Sequence, residues 1–239
     1  MQQTITTVTV NNSEMEVFLF APDGGSHHPG LILAQHIPVG HTGIENDEFT
    51  LATAERYAAA GYVVAVPFIF HWWPKSEEMK VKATEFRDDW TRLDLQATYE
   101  LLTAREDVKS DHIGIVGHCW GGRVAWLGAC YLPVQACAVF YGGRIKLPLG
   151  QGNPPAIDLA QQITCPVIGL FGNEDKNPTP EDVDDYAKAL EAGGVLYEFH
   201  RYDGAGHAFQ DFPTPERYNE RASEDAWQKT LNFLARHLG

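Results

Sequence analysis

The sequence predicts an α/β fold, a mostly parallel sheet with helices on both faces, entered through an N-terminal hairpin. Two patterns carry this. Short apolar runs without alternation, such as GLILAQH and HIGIVGH, read as strands buried on both faces, and they take turns with segments of helical period. Strict alternation is confined to the first twenty residues, where it implies antiparallel pairing with one face wet.

In chain order, Thr4 to Val10 and Glu14 to Phe20 flank Asn11, Asn12 and Ser13, a turn-forming trio, and give the hairpin. Strands are then expected at GLILAQH, YVVAVPFIF, HIGIVGH, QACAVFYGG, CPVIGLFGN and VLYEFHRY. Helices are expected over Asn46 to Ala60, Val81 to Ala104, Trp120 to Cys130, Pro180 to Ala192 and Pro215 to Leu238. Asn46 ahead of Asp47 and Glu48, and Thr179 or Thr214 ahead of a proline, supply chemical start signals. No repeat, low-complexity run or linker divides the chain, so residues 1–239 are read as one domain. The irregular stretch Gly142 to Pro155 is too short for more than a rim.

Eighteen basic against 32 acidic residues give a formal net charge of -14, which argues against nucleic acid or an anionic membrane as partner. The N-terminal segment lacks the basic and apolar regions of a signal peptide. No run approaches the roughly 18 apolar residues of a membrane span, so a cytoplasmic protein is expected, as a monomer or small homo-oligomer. Of the four cysteines, Cys130, Cys137 and Cys165 lie in apolar surroundings and read as buried small hydrophobes. His27, His28, His36, His41 and His71 have no metal-ligand spacing, so neither metal nor other cofactor is expected.

Cys119 differs in its setting. Strand HIGIV runs into GHCWGG and then into the helical RVAWLGACY, a strand-to-helix turn of the kind that exposes a nucleophile above a sheet. Glycines at 117 and 121 give such a turn its room. The helix start favours a thiolate, and the N–H groups of Trp120 and Ile37 are placed to receive an acyl oxyanion. Downstream, Asp175 follows strand CPVIGLFGN and His207 follows strand VLYEFHRY, both at the carboxyl edge where sites gather in open α/β sheets. His207 would move the proton and Asp175 would hold its tautomer. Asp175 is preferred to its neighbour Glu174 and to Asp203, and His207 to His200, which lies within a strand pattern.

At these residues the chain resembles the dienelactone hydrolase family of α/β-hydrolases. The resemblance rests on the elbow Gly117 to Gly122, the G-x-x-D loop Gly172 to Asp175, the A-G-H-x-F segment Ala205 to Phe209, and a closing helix with Ala226 and Trp227. It implies a small lidless hydrolase with a Cys-His-Asp triad at Cys119, His207 and Asp175, acting on a small-molecule lactone or activated ester. Two positions depart from the family. A glutamate commonly follows the glutamine that is Gln35 here, and its place is taken by His36. The family member that hydrolyses dienelactone has an arginine four residues after the histidine to hold the substrate carboxylate, and that place is Asp211 here. His36 is therefore expected to be the resting partner of the thiol.

Trp72 and Trp73, at the end of YVVAVPFIF, are candidate pocket residues together with Tyr141, Phe209 and Trp120, and they favour an apolar or aromatic acyl group. Arg144, Arg87 or Lys75 could each supply a cation. Two alternatives remain open: a redox-responsive or ligand-binding protein without turnover, and a thioester hydrolase. The first needs no triad.

Overall fold

A computed structural model describes residues 1–24 and 27–239. Strands β1 (Gln2–Val10) and β2 (Ser13–Ala21) form the hairpin. Asn11 and Asn12 both take positive φ, 47° and 67°, which asparagine tolerates and which matches the twist of a two-residue hairpin turn.

The order then runs β3 (His28–Ala34), α1 (Val39–Thr42), α2 (Glu48–Ala59), β4 (Val63–Pro67), α3 (Met79–Glu85), α4 (Asp88–Thr103), β5 (Val108–His118), α5 (Trp120–Tyr131), β6 (Ala136–Phe140), β7 (Val167–Gly172), α6 (Pro180–Ala192), β8 (Tyr197–Tyr202) and α7 (Glu220–Leu238). The strands form one eight-stranded sheet in the order β1-β2-β4-β3-β5-β6-β7-β8. Pairing is antiparallel from β1 to β2 and from β2 to β4, and parallel from β4 through β8.

Helices cover both faces. Tyr57 of α2 packs on Trp227 of α7 at 4.6 Å on one side, and Trp126 of α5 packs on Tyr186 of α6 at 5.7 Å on the other. Strands β4, β6 and β7 are buried along their whole length. The edge strand β8 is only half-buried, so two-sided burial, expected for every later strand, does not extend to it.

Three expected helices are redrawn. The segment read as one helix from Val81 is two, broken at Phe86 and Arg87, which are extended at ψ 138° and φ -132°, ψ 134°. Phe86 turns inward there, against Phe70 and Trp120, and its burial repays the lost helical bonds. Helix α2 is capped by Asp47 rather than Asn46, its carboxylate accepting from the Thr50 N–H at 2.8 Å. Helix α7 begins five residues after Pro215, capped by Asn219. Helix α6 keeps its expected bounds, with Thr179 and Asp182 forming a capping box.

Candidate active site

The centre of the site is the turn between β5 and α5. Cys119 adopts φ 56°, ψ -117°, a left-handed strain of about 1–3 kcal/mol for a side-chain-bearing residue that the surrounding packing must hold in place. Two glycines make that possible. A Cβ at Gly117 would lie 1.8 Å from the Gly121 carbonyl oxygen, and one at Gly121 would lie 2.0 Å from that of Ala34. The Cys119 N–H donates to the Phe140 carbonyl at 3.0 Å, tying the turn to β6.

Loops after β7 and β8 complete a relay. His207 Nε2 is 3.1 Å from Cys119 Sγ, and His207 Nδ1 is 2.9 Å from Asp175 Oδ2. The Asp175 carboxylate is also held by the N–H of Asn177 at 2.8 Å. Its competitors lie elsewhere: Glu174 is exposed, and Asp203 takes the Asn173 side chain. Burial opposes the imidazolium of His207, but the bonds to Asp175 and to Cys119 outweigh it and lift its pKa from 6.5 to about 10. Such an environment favours the imidazolium form of His207.

Behind the relay, Tyr141 is fully buried with its ring 5.3 Å from that of His207, and Phe209 packs on Tyr141 at 5.2 Å. Sequence reasoning set both in the substrate pocket, but they support the histidine from beneath. It missed a second link, between the end of β5 and the loop after β8: His118 Nε2 meets Gln210 Oε1 at 3.0 Å, and the Gln210 amide donates to the Ser223 carbonyl at 3.2 Å. Burial holds the His118 pKa down to about 3, so this ring stays neutral and its bond to Gln210 is indifferent to pH. The adjacency of His118 to Cys119 was the available signal.

A pocket of about 170 Å³ opens over the sulfur, lined by Ile37, Trp120, Gly143, Arg144 and Asn177 with Cys119 and His207. Among the described residues, no group of the chain accepts from the N–H of Ile37 or of Trp120. Asn177 was not foreseen, although it stands two residues past Asp175 in the same loop.

His36 is not among these lining residues. Ile37 lines the pocket while His36 is buried away from it, its Nε2 2.8 Å from Asp47 Oδ2 and its ring 5.0 Å from that of Phe49. Burial would raise the Asp47 pKa, but the bond from His36 and the helix-start N–H of Thr50 lower it on balance. His36 thus braces the start of α2, and the thiol's partner is His207.

Trp72 and Trp73 also leave the pocket to others. The indole of Trp72 donates to Asp94 at 3.0 Å and stacks on Trp90 at 4.9 Å. Trp73 donates to Glu85 at 2.9 Å and borders a separate depression of about 320 Å³ with Phe68 and Lys75. Trp73 reaches the site only indirectly, through the Phe86 ring that packs edge-on against Trp120 at 4.9 Å. His71 is held between Ser13 Oγ and Asp94, each at 2.8 Å, and among the described residues no cluster of three or more His, Cys, Asp or Glu side chains is arranged around a metal site. None of the described helices is long and apolar enough to cross a membrane.

The model of the Dienelactone hydrolase family matches residues 15–238. The chain belongs to that family. A Synechocystis sp. protein named "Putative carboxymethylenebutenolidase" is 29% identical over 246 residues, covering 98% of this chain and 97% of its own length. A Salmonella typhimurium protein of the same name is 35% identical over 126 residues, a match that spans about half of each chain, 52% and 46%. Among solved structures, that of a "Putative Dienelactone Hydrolase" from Klebsiella pneumoniae superposes with a TM-score of 0.84 at 24% identity, covering 98% of both chains. This is a likeness of fold, and the fold is that of the α/β-hydrolases.

Proposed function

We propose that the chain hydrolyses lactones or activated carboxylic esters through an acyl-enzyme on Cys119. The observation that carries this reading is the relay itself, Asp175 to His207 to Cys119, at 2.9 and 3.1 Å with the sulfur at the floor of an open pocket. A cysteine that only senses oxidants has no use for such a relay.

The thiolate attacks the carbonyl carbon, forming a C–S bond, and the carbonyl oxygen takes up charge between the N–H groups of Trp120 and Ile37. Collapse breaks the bond to the leaving oxygen, which takes the proton from His207 Nε2. Water then gives a proton to the same nitrogen and attacks the thioester carbon. The second collapse expels the thiolate and releases the carboxylic acid, restoring the pair. Asp175 holds the ring in place throughout and steadies the imidazolium.

Sulfur limits the substrate. A tetrahedral adduct on sulfur returns to starting material unless the other leaving group departs more easily, so enol lactones and aryl esters suit this site and amides do not. The size of the pocket, about 170 Å³, fits a small acyl group. The relatives' name, carboxymethylenebutenolidase, and the family's name, dienelactone hydrolase, lie in the same chemical class.

The test is a panel of enol lactones, p-nitrophenyl esters, thioesters and amides assayed with the parent, Cys119→Ala and His207→Ala proteins. Turnover of the first two classes, absent in both variants, is expected. Full turnover in Cys119→Ala would remove the proposal.

A further inference from the structure

Lys82 of α3 is fully buried, yet among the described residues no carboxylate pairs with it. Its ammonium donates instead to two main-chain carbonyls, Gly40 at 2.8 Å and Lys75 at 3.0 Å. A charge buried without a counter-charge is costly. Burial lowers the Lys82 pKa from its ordinary value, against the opposing charge of Glu77. A methionine would fill the same space without that cost, so the charge calls for a role.

The Gly40 carbonyl opens a path to the nucleophile. It shares a peptide group with the His41 N–H, which donates to the Pro38 carbonyl at 2.9 Å. That carbonyl shares a peptide group with the Val39 N–H, which donates to the His36 carbonyl at 3.3 Å. The His36 carbonyl in turn shares a peptide group with the Ile37 N–H. Ile37 lines the pocket over Cys119, and among the described residues no group of the chain accepts from its N–H. Three peptide groups thus stand in series between a buried positive charge and one of the two N–H groups assigned to the oxyanion. All three turn the oxygen toward the lysine side and the N–H toward the site, the sense in which groups in series polarise one another.

The packing holds the ammonium to this turn. Met79, three residues before Lys82 on α3, lies against Gly40, where a Cβ would come within 2.5 Å of its sulfur. The Lys75 carbonyl anchors the same ammonium from the segment ahead of α3. Residues 36–41 therefore cannot drift without loosening a charge-assisted bond.

We propose that Lys82 is a positioning residue for the reaction, fixing and polarising the Ile37 N–H through the peptide groups of residues 36–41. The proposal rests on the reading of Cys119 as an acylated nucleophile. Its effect falls where charge develops on the carbonyl oxygen, in acylation and deacylation alike, so kcat should respond and KM should not.

Two reactions of Cys119 separate this role from general support of the fold. Acylation by p-nitrophenyl acetate builds an oxyanion. Alkylation by iodoacetamide forms a C–S bond at a saturated carbon, expels iodide and builds none. Both rates are measured in the parent, Lys82→Met and Lys82→Gln proteins, the glutamine retaining a donor for a carbonyl should the methionine variant fail to fold. The other thiols are silent, because burial pushes Cys130 and Cys165 up to about 12 and Cys137 well above the ordinary thiol range. The acylation rate and kcat are expected to fall about tenfold in each variant, the Trp120 N–H remaining in place, while KM and the alkylation rate stay within about twofold. The Ile37 amide proton, followed by NMR, is expected to move upfield in both. A ratio of acylation to alkylation that a folded variant leaves unmoved overturns the proposal. An equal fall in both rates overturns it too, by making Lys82 a support of the fold alone. A parent that does not acylate Cys119 defeats the catalytic reading by itself; the Ile37 signal then decides for Lys82, a shift in the variants sustaining the relay and an unmoved signal overturning it.

Discussion

Replacing Asp175 with Asn keeps the size and the hydrogen bond from the Asn177 N–H while removing the charge that faces His207. The carboxylate is 1% exposed, so its charge acts on the imidazolium with little screening from that side. Removing one partner of a buried pair costs about 3–5 kcal/mol. His207 keeps 32% of its side-chain exposure, and solvent screening lowers the figure to about 2–3 kcal/mol. That corresponds to roughly 30- to 150-fold in kcat/KM. The pH dependence is the sharper signature. With its pKa lifted to about 10, the parent's imidazolium survives well into alkali, and its contribution to folding is complete below 6.5 and lost as pH rises through about 10. In Asp175→Asn the alkaline limb of kcat/KM should move toward 6.5. The assay is aryl-ester hydrolysis from pH 5 to 11, with circular dichroism to establish that the variant is folded. A folded Asp175→Asn protein with the parent's rate and alkaline limb would refute the assignment of Asp175.

Three further outcomes follow from the packing. Asp47→Ala should lower stability by about 1–3 kcal/mol, since it removes both the cap on Thr50 and the partner of His36. Because folding lowers the Asp47 pKa, the gap in denaturation midpoint from the parent should be full above about pH 3.8 and shrink as pH falls further. Arg123→Met strands the buried Asp88 and should cost about 3–5 kcal/mol in urea denaturation, most of it recovered in the double variant with Asp88→Leu. Gly117→Ala puts a methyl group 1.8 Å from the Gly121 carbonyl, so the folded fraction measured by near-ultraviolet circular dichroism should collapse or, where the fold survives, ester turnover should be lost.

What the sequence disclosed and what it withheld divide along physical lines. The hairpin, the alternation of strand and helix, and the turn at Gly117 to Gly122 were legible because each depends on local pattern: a two-residue asparagine turn, an apolar run, glycines where no Cβ fits. The chain order of nucleophile, acid and histidine was enough to select residues that the fold brings within hydrogen-bond distance. The break at Phe86 was hidden, because neither glycine nor proline marks it and its cause is a ring buried against Phe70 and Trp120, distant in sequence. The same limit applies to His36. Adjacency to Ile37 suggested the pocket, but the direction of the side chain and its bond to Asp47 belong to tertiary structure. Which of Arg144, Arg87 and Lys75 is free was equally beyond reach, since it turns on the positions of Asp89, Glu16 and Glu45.

The central claim is that hydrolysis passes through an acyl group on Cys119, and rapid quench of a slow-deacylating aryl ester followed by peptide mass spectrometry tests it most directly. The account predicts a burst of phenol matching the enzyme concentration and an acyl mass on the peptide bearing Cys119, absent in Cys119→Ala. Hydrolysis that proceeds with no burst and no adduct, or an adduct on another residue that turns over at the catalytic rate, would contradict it.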